Sequence, residues 1–95
     1  MINLNIARDI RQKLKDKHQV EEAEIEECFL NREKGYLTDT REDHKSNPPT
    51  LWFVSVTDKG RILKVLWIND PVLGITIKSA YEPNPEEIRI YSKYA

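Results

Sequence analysis

Two strand-forming runs set three residues apart do more than any other feature to restrict the folds open to this chain. Thr50 to Thr57 reads TLWFVSVT and Arg61 to Ile68 reads RILKVLWI, both dense in β-branched and aromatic residues, with Asp58-Lys59-Gly60 between them. So short a connection predicts a hairpin, and Gly60 supplies the positive φ its turn requires. Both runs are apolar on both faces, which predicts central strands covered on at least one side. Asn69-Asp70-Pro71 turns the chain again, and Gly74 to Tyr81 alternates Ile75 and Ile77 with Thr76 and Lys78 as a further strand. Tyr36 to Thr40 is short and polar enough for an edge strand. The charges and turn formers from Arg41 to Pro49 then read as a loop.

Before Gly35 the period is helical. Residues 4–16 carry Ile6, Ile10 and Leu14 at four-residue spacing, and residues 20–31 place Val20, Ala23, Ile25, Cys28 and Phe29 among five glutamates. Two amphipathic helices are expected, with Gly35 ending the turn that trails the second. Near the C-terminus Asn84 is suited to cap a helix, Pro85 to open it, and Glu87 to reach back to the cap amide, so a short helix over EEIRIYSKY should follow. Consecutive helices followed by hairpin-connected strands predict an α+β domain. Its two N-terminal helices pack on a four-stranded antiparallel sheet, with a short C-terminal helix and all helices on one face. The opposite face is then a candidate binding surface.

Ninety-five residues suit one domain, residues 1–95, and the longest apolar runs are four residues, far below the roughly 20 that span a bilayer. With no signal-like N-terminal run and a lone Cys28, a cytoplasmic protein without membrane association is expected. The net charge of -1 excludes a strongly basic chain but conceals segregation. Arg8, Arg11, Lys13, Lys15 and Lys17 face only Asp9 and Asp16 on the first helix, whereas Glu21 to Glu27 holds five glutamates and no base. Two solvated faces attracting each other across a helical hairpin account for this, as do a phosphate-facing strip and a docking surface for a basic partner.

Reactive side chains are densest in Asp39-Thr40-Arg41-Glu42-Asp43-His44, where imidazole can pass protons near neutral pH beside an anion-holding arginine. Asp39, Asp43 and His44 lack any strong metal-ligand spacing, and no metal or other cofactor is expected. Lys64 and Lys78 interrupt apolar alternation, as cations offered on an open sheet face do, and Arg61, Tyr81, Arg89 and Tyr91 lie nearby in sequence. His18 continues the first helix's apolar series and reads as a boundary residue. Glutamates around Cys28 oppose a reactive thiolate. Phosphate-binding glycine loops and nucleophile elbows are absent.

Lys17-His18-Gln19-Val20, with Glu24 and Phe29 downstream, resembles the K-H-G-[IV]-S-F-E-E-A-x-x-V-F opening of BrnT-type toxins. Gly60-Arg61 with Leu63 and Val65 resembles their G-R-x-L-x-V-V strand. Ser79-Ala80 with Glu87 and Tyr91 follows the spacing of their S-A-R-x-A-x-x-x-E-x-x-x-Y close, with Tyr81 in place of the arginine. The resemblance covers nearly the whole chain and implies the RelE-like fold of the RelE/ParE-like superfamily. It also implies a metal-independent endoribonuclease toxin that cleaves RNA, free or ribosome-bound mRNA, by 2′-hydroxyl attack, and an antitoxin partner encoded nearby. His44, Lys78, Tyr81 and Arg89 would then be catalytic, and Arg41, Arg61 and Lys64 would bind RNA phosphates. The missing arginine and near-neutral charge motivate an alternative, a catalytically silent protein-binding module of the same fold.

A subgroup with an ending like Ala80-Tyr81-Glu82-Pro83-Asn84 carries the label ADP-ribosyl-(dinitrogen reductase) hydrolase. Enzymes of that name resemble large all-helical scaffolds with dimetal sites, which 95 residues holding four strands do not supply.

Overall fold

The computed structural model describes residues 2–40 and 47–95. Its elements run α1 (Arg8–Lys13), a π-helical turn (Leu14–His18), α2 (Glu22–Asn31), β1 (Leu37–Thr38), β2 (Leu51–Val56), β3 (Ile62–Asp70), β4 (Gly74–Tyr81) and α3 (Pro85–Tyr94). The protein is α+β, with one antiparallel sheet in the order β1-β2-β3-β4. Register follows the expected hairpin, pairing Phe53 with Val65 and Ser55 with Leu63, and Gly60 takes φ 88°. Asp70 Oδ1 accepts the Val72 and Leu73 amides, and Gly74 at φ 78° closes the second turn.

Pleating divides the sheet into two faces. Phe53, Leu63, Val65, Trp67 and Ala80 occupy one. There Phe29 of α2 meets the Phe53 ring at 4.7 Å and the Trp67 ring at 5.5 Å, both edge-on. Ile25 and Cys28 are fully buried, while Leu14 and Val20 close the same core. Trp52, Lys64, Leu66 and Tyr81 point the other way. Against them lies α3, with Tyr91 beside Trp52 at 5.8 Å and Glu87 beside Lys64.

This arrangement corrects the expectation that every helix shares one face. The chain builds three layers, α1 and α2 over one face and α3 over the other. The physical reason is that Trp52 and Leu66 give the second face apolar surface of its own, which water cannot be left to cover.

The first helix begins later than its spacing suggests. Ile2, Leu4 and Ile6 alternate with Asn3 and Asn5, a period of two that outranks the Ile6-Ile10-Leu14 series, and the segment runs extended along β4. Asn5 donates to the Ile75 carbonyl and accepts from the Ile77 amide, at 2.8 and 2.9 Å. Gly35 is not a helix cap either: α2 stops at Asn31 with extended Arg32, and the Gly35 carbonyl instead accepts the Tyr91 hydroxyl at 2.7 Å. Opposite helix charges do attract, as Arg11 Nη1 meets Glu22 Oε1 at 2.8 Å. At α3 the Asn84/Glu87 capping box forms with Pro85 in the first turn, as its sequence implies. No helix among the described residues is long and apolar enough to cross a membrane.

Phe53 is fully buried, with the Phe29 and Tyr36 rings packed edge-on against it. Phe53→Ala should cost about 3–5 kcal/mol in a urea unfolding series, without changing the helix and strand content seen by far-UV circular dichroism.

Candidate functional site

Two cations on the central hairpin organise the chemistry of the molecule, and each is met by carboxylates of its own chain. Arg61 follows Gly60 at the start of the second hairpin arm. Its Nε donates to Glu82 Oε2 at 2.9 Å, its Nη1 to the Gln19 carbonyl at 2.8 Å and to Glu24 Oε1 at 3.1 Å, and its Nη2 to the His18 carbonyl at 2.9 Å. The guanidinium thus ties the end of the π-helical turn, α2 and the end of β4 to one another. Gln19 reaches this clamp through a left-handed backbone, φ 49° and ψ 47°, a strained choice for a residue with a Cβ. In this position Arg61 is a latch, with every one of its nitrogens already donating.

Lys64 lies mid-strand on β3 and is 5% exposed. Its Nζ meets Glu87 Oε2 at 2.6 Å and stands 4.5 Å from the Trp52 ring and 5.7 Å from that of Tyr81. The Tyr81 hydroxyl donates to the same Glu87 oxygen at 3.4 Å, while Glu87 Oε1 accepts the Asn84 amide at 3.0 Å. Ammonium, carboxylate and phenol are therefore gathered within one hydrogen-bonded group. Glu87 titrates below the ordinary carboxylate range. Burial pushes it up, but bonds from Lys64, the Asn84 amide and Tyr81, with the charge on Lys64, outweigh that push.

A groove of about 590 Å³ opens onto this group between β1 and α3, walled by Leu37, Asp39, Trp52, Ile90 and Tyr94. It is apolar and aromatic with a charged floor, the composition of a ligand cleft. A second, polar cleft of about 400 Å³ lies on the far side of Tyr81, lined by Lys17, His18, Arg61 and Glu82. There the His18 ring sits 5.5 Å from that of Tyr81.

Of the residues singled out in the sequence, the structure brings Lys64 and Tyr81 together, with Arg61 across Tyr81 in the neighbouring cleft. Lys78 is exposed on the opposite stretch of β4, at the irregularity where Leu66 pairs with Ser79 and Trp67 with Ile77. Arg89 points from α3 into solvent and is held by Glu86 at 2.5 Å. Arg41 and His44 lie outside the described residues, as does Asp43. Trp52 and Trp67 are both buried, on opposite faces. Cys28 is sealed in the core, its thiol pushed up to about 12 by burial and then by Glu24 and Glu27.

Glu87 is the residue whose second role the sequence hides. Its spacing from Asn84 marks it as a helix cap, and one carboxylate oxygen does that work while the other faces Lys64. Asp39, Ile90 and Tyr94 gain their place only from the closure of α3 over the sheet. Among the described residues, no three His, Cys, Asp or Glu side chains are grouped to hold a metal ion. No protein-family model, curated protein or solved structure matches this chain.

Because the folded pKa of Glu87 is depressed, its contribution to stability is complete above the unfolded value of about 4.3 and vanishes as pH falls through the lower folded value. Thermal unfolding followed from about pH 6 to about pH 2.5 should show a loss of stability on acidification that is shallower in Glu87→Gln than in the natural protein.

Proposed function

We propose that the protein is a BrnT-type, RelE-like toxin, the toxin half of a toxin–antitoxin pair, which cleaves RNA through the group formed by Lys64, Tyr81 and Glu87. One observation carries the family reading. Lys17-His18-Gln19, Glu24 and Gly60-Arg61, three separate stretches on which the BrnT resemblance rests, meet at the Arg61 guanidinium. The position where the resembled motif has glycine, Gln19 here, is the one non-glycine residue at positive φ among the described residues. The two N-terminal helices over a four-stranded antiparallel sheet are compatible with a RelE-like fold.

The chemistry follows from Lys64 and Glu87 in the groove and from Tyr81, which lines the neighbouring cleft and bonds Glu87 from that side. Glu87, ionised at neutral pH, accepts the proton of an RNA 2′-hydroxyl as that oxygen attacks the adjacent phosphorus. Lys64 stands beside it as a fixed positive charge for the phosphorane oxygens, and Tyr81 supplies a proton to the departing 5′-oxygen as the P–O5′ bond breaks. Trp52 and Tyr94 wall the space in which a base would lie. Arg41 and His44, outside the described residues, remain candidates for phosphate contact and proton transfer. Lys78 and Arg89 would guide the RNA from outside the groove.

A specific observation favours the second reading, a silent binding module. Arg61, Lys64 and Arg89 are each already paired with a carboxylate of this chain, which leaves fewer free cations for phosphate. Purified protein incubated with messenger RNA, and its expression with and without the neighbouring gene, separate the two. The toxin reading expects RNA cleavage and growth arrest, both suppressed by the neighbour, with Glu87→Gln and Tyr81→Phe each about 100-fold slower. Unchanged RNA and normal growth would leave the binding module.

A further inference from the structure

We propose that the groove between β1 and α3 is a guanine site, in which Asp39 reads the two adjacent donors on the Watson–Crick edge of that base. The inference rests on the RNA reading for the source of its ligand and goes beyond it in naming the base.

Strand alternation fixes the face that Asp39 occupies. Leu37 lies opposite Trp52 and Thr38 opposite Leu51, and the Asp39 amide donates to the Thr50 carbonyl at 2.8 Å, so the pairing continues one residue past β1. The side chains of Leu37, Asp39 and Trp52 therefore share the face that α3 covers. Asp39 is 6% exposed and lines the groove. A carboxylate accepts through about four lone-pair sites, so an interaction within the chain still leaves it capacity for a ligand's donors. The groove's other charged groups, Lys64 and Glu87, hold each other at 2.6 Å.

The walls ask for a flat ligand. Leu37 and Ile90 are apolar and half-buried, and the Tyr94 ring stands 64% exposed at the end of α3. A ligand with apolar faces and a hydrogen-bonding edge covers such a ring while its edge reaches the carboxylate, and a nucleobase is that shape. The volume of about 590 Å³ lies in the range of small-molecule clefts.

Base edges decide which nucleobase fits. Guanine carries N1–H and the N2 amine side by side, and a carboxylate accepts both together. Uracil has one donor, N3–H, between two carbonyls, while adenine and cytosine each set an amine beside a ring-nitrogen acceptor. With any of these three, one carboxylate oxygen meets an acceptor and is repelled. Guanine O6, next along the edge, needs a donor, and the Lys64 ammonium carries protons beyond the one it gives to Glu87.

The test uses the full chain and neutral nucleosides, so that base recognition is measured apart from phosphate attraction. Guanosine should shift the Leu37 and Ile90 methyl signals in an NMR titration and bind about tenfold more tightly than adenosine, cytidine or uridine. Inosine keeps N1–H but lacks the N2 amine, and should bind about tenfold more weakly than guanosine. Asp39→Asn should abolish the preference for guanosine, and the inosine comparison serves if that variant does not fold. Tyr94→Ala should weaken every nucleoside alike, because stacking is indifferent to base edges. Equal binding of the four bases, inosine binding as tightly as guanosine, or no shifts at millimolar guanosine overturns the proposal. Messenger RNA separates the two readings. Cleavage that ignores guanine overturns the guanine site and leaves the toxin reading, whereas guanosine selectivity without cleavage supports the site and overturns the toxin reading.

Discussion

A lysine held at 5% exposure in the middle of a central strand dictates how this chain is closed. An ammonium removed from water needs a counter-charge within hydrogen-bond reach, and on that face of the sheet Glu87 supplies it at 2.6 Å. Glu87 stands in the first turn of α3, so neutralising Lys64 also fixes where the helix begins and which face it covers. The capping box gives the carboxylate its orientation, the Trp52 ring gives the ammonium a second favourable contact, and the Tyr81 hydroxyl completes the group. Helix start, ion pair and groove are therefore one arrangement.

Arg61 does on the other side of Tyr81 what Lys64 does beneath α3. It draws the end of the π-helical turn, α2 and β4 together through two carbonyls and two carboxylates. The pair explains why a chain of net charge -1 can still hold cations at its centre: the carboxylates that cancel them are placed against them, not scattered over the surface. Such pairing serves structure first. Whatever function the groove has must work with a lysine and a glutamate that already hold each other, which favours proton transfer and charge stabilisation at a short range over broad attraction of a polyanion.

Much of this was legible in the sequence, and the parts that were not share a cause. The hairpin around Asp58-Lys59-Gly60 and the capped C-terminal helix are local patterns, and local patterns survive into the fold. The face chosen by α3 is not local. Lys64 was visible as an interruption in an apolar run, but its partner lies 23 residues on, in a motif that already had a complete explanation as a cap. Arg61 looked like a free cation because Gln19, Glu24 and Glu82 are distant in sequence. The extended N-terminal segment is readable from Ile2, Leu4 and Ile6, and is masked by the overlapping four-residue series that follows.

A double-mutant cycle between Lys64 and Glu87 tests most directly whether their pair holds α3 on the second face. Stabilities of the natural protein, Lys64→Met, Glu87→Gln and the double variant, from urea unfolding, yield the coupling between them. Each single change should destabilise by about 3 kcal/mol, with the double variant losing much less than the sum. Additive losses, with α3 still docked in the double variant as reported by unchanged Trp52 fluorescence in a Trp67→Phe background, would contradict the account.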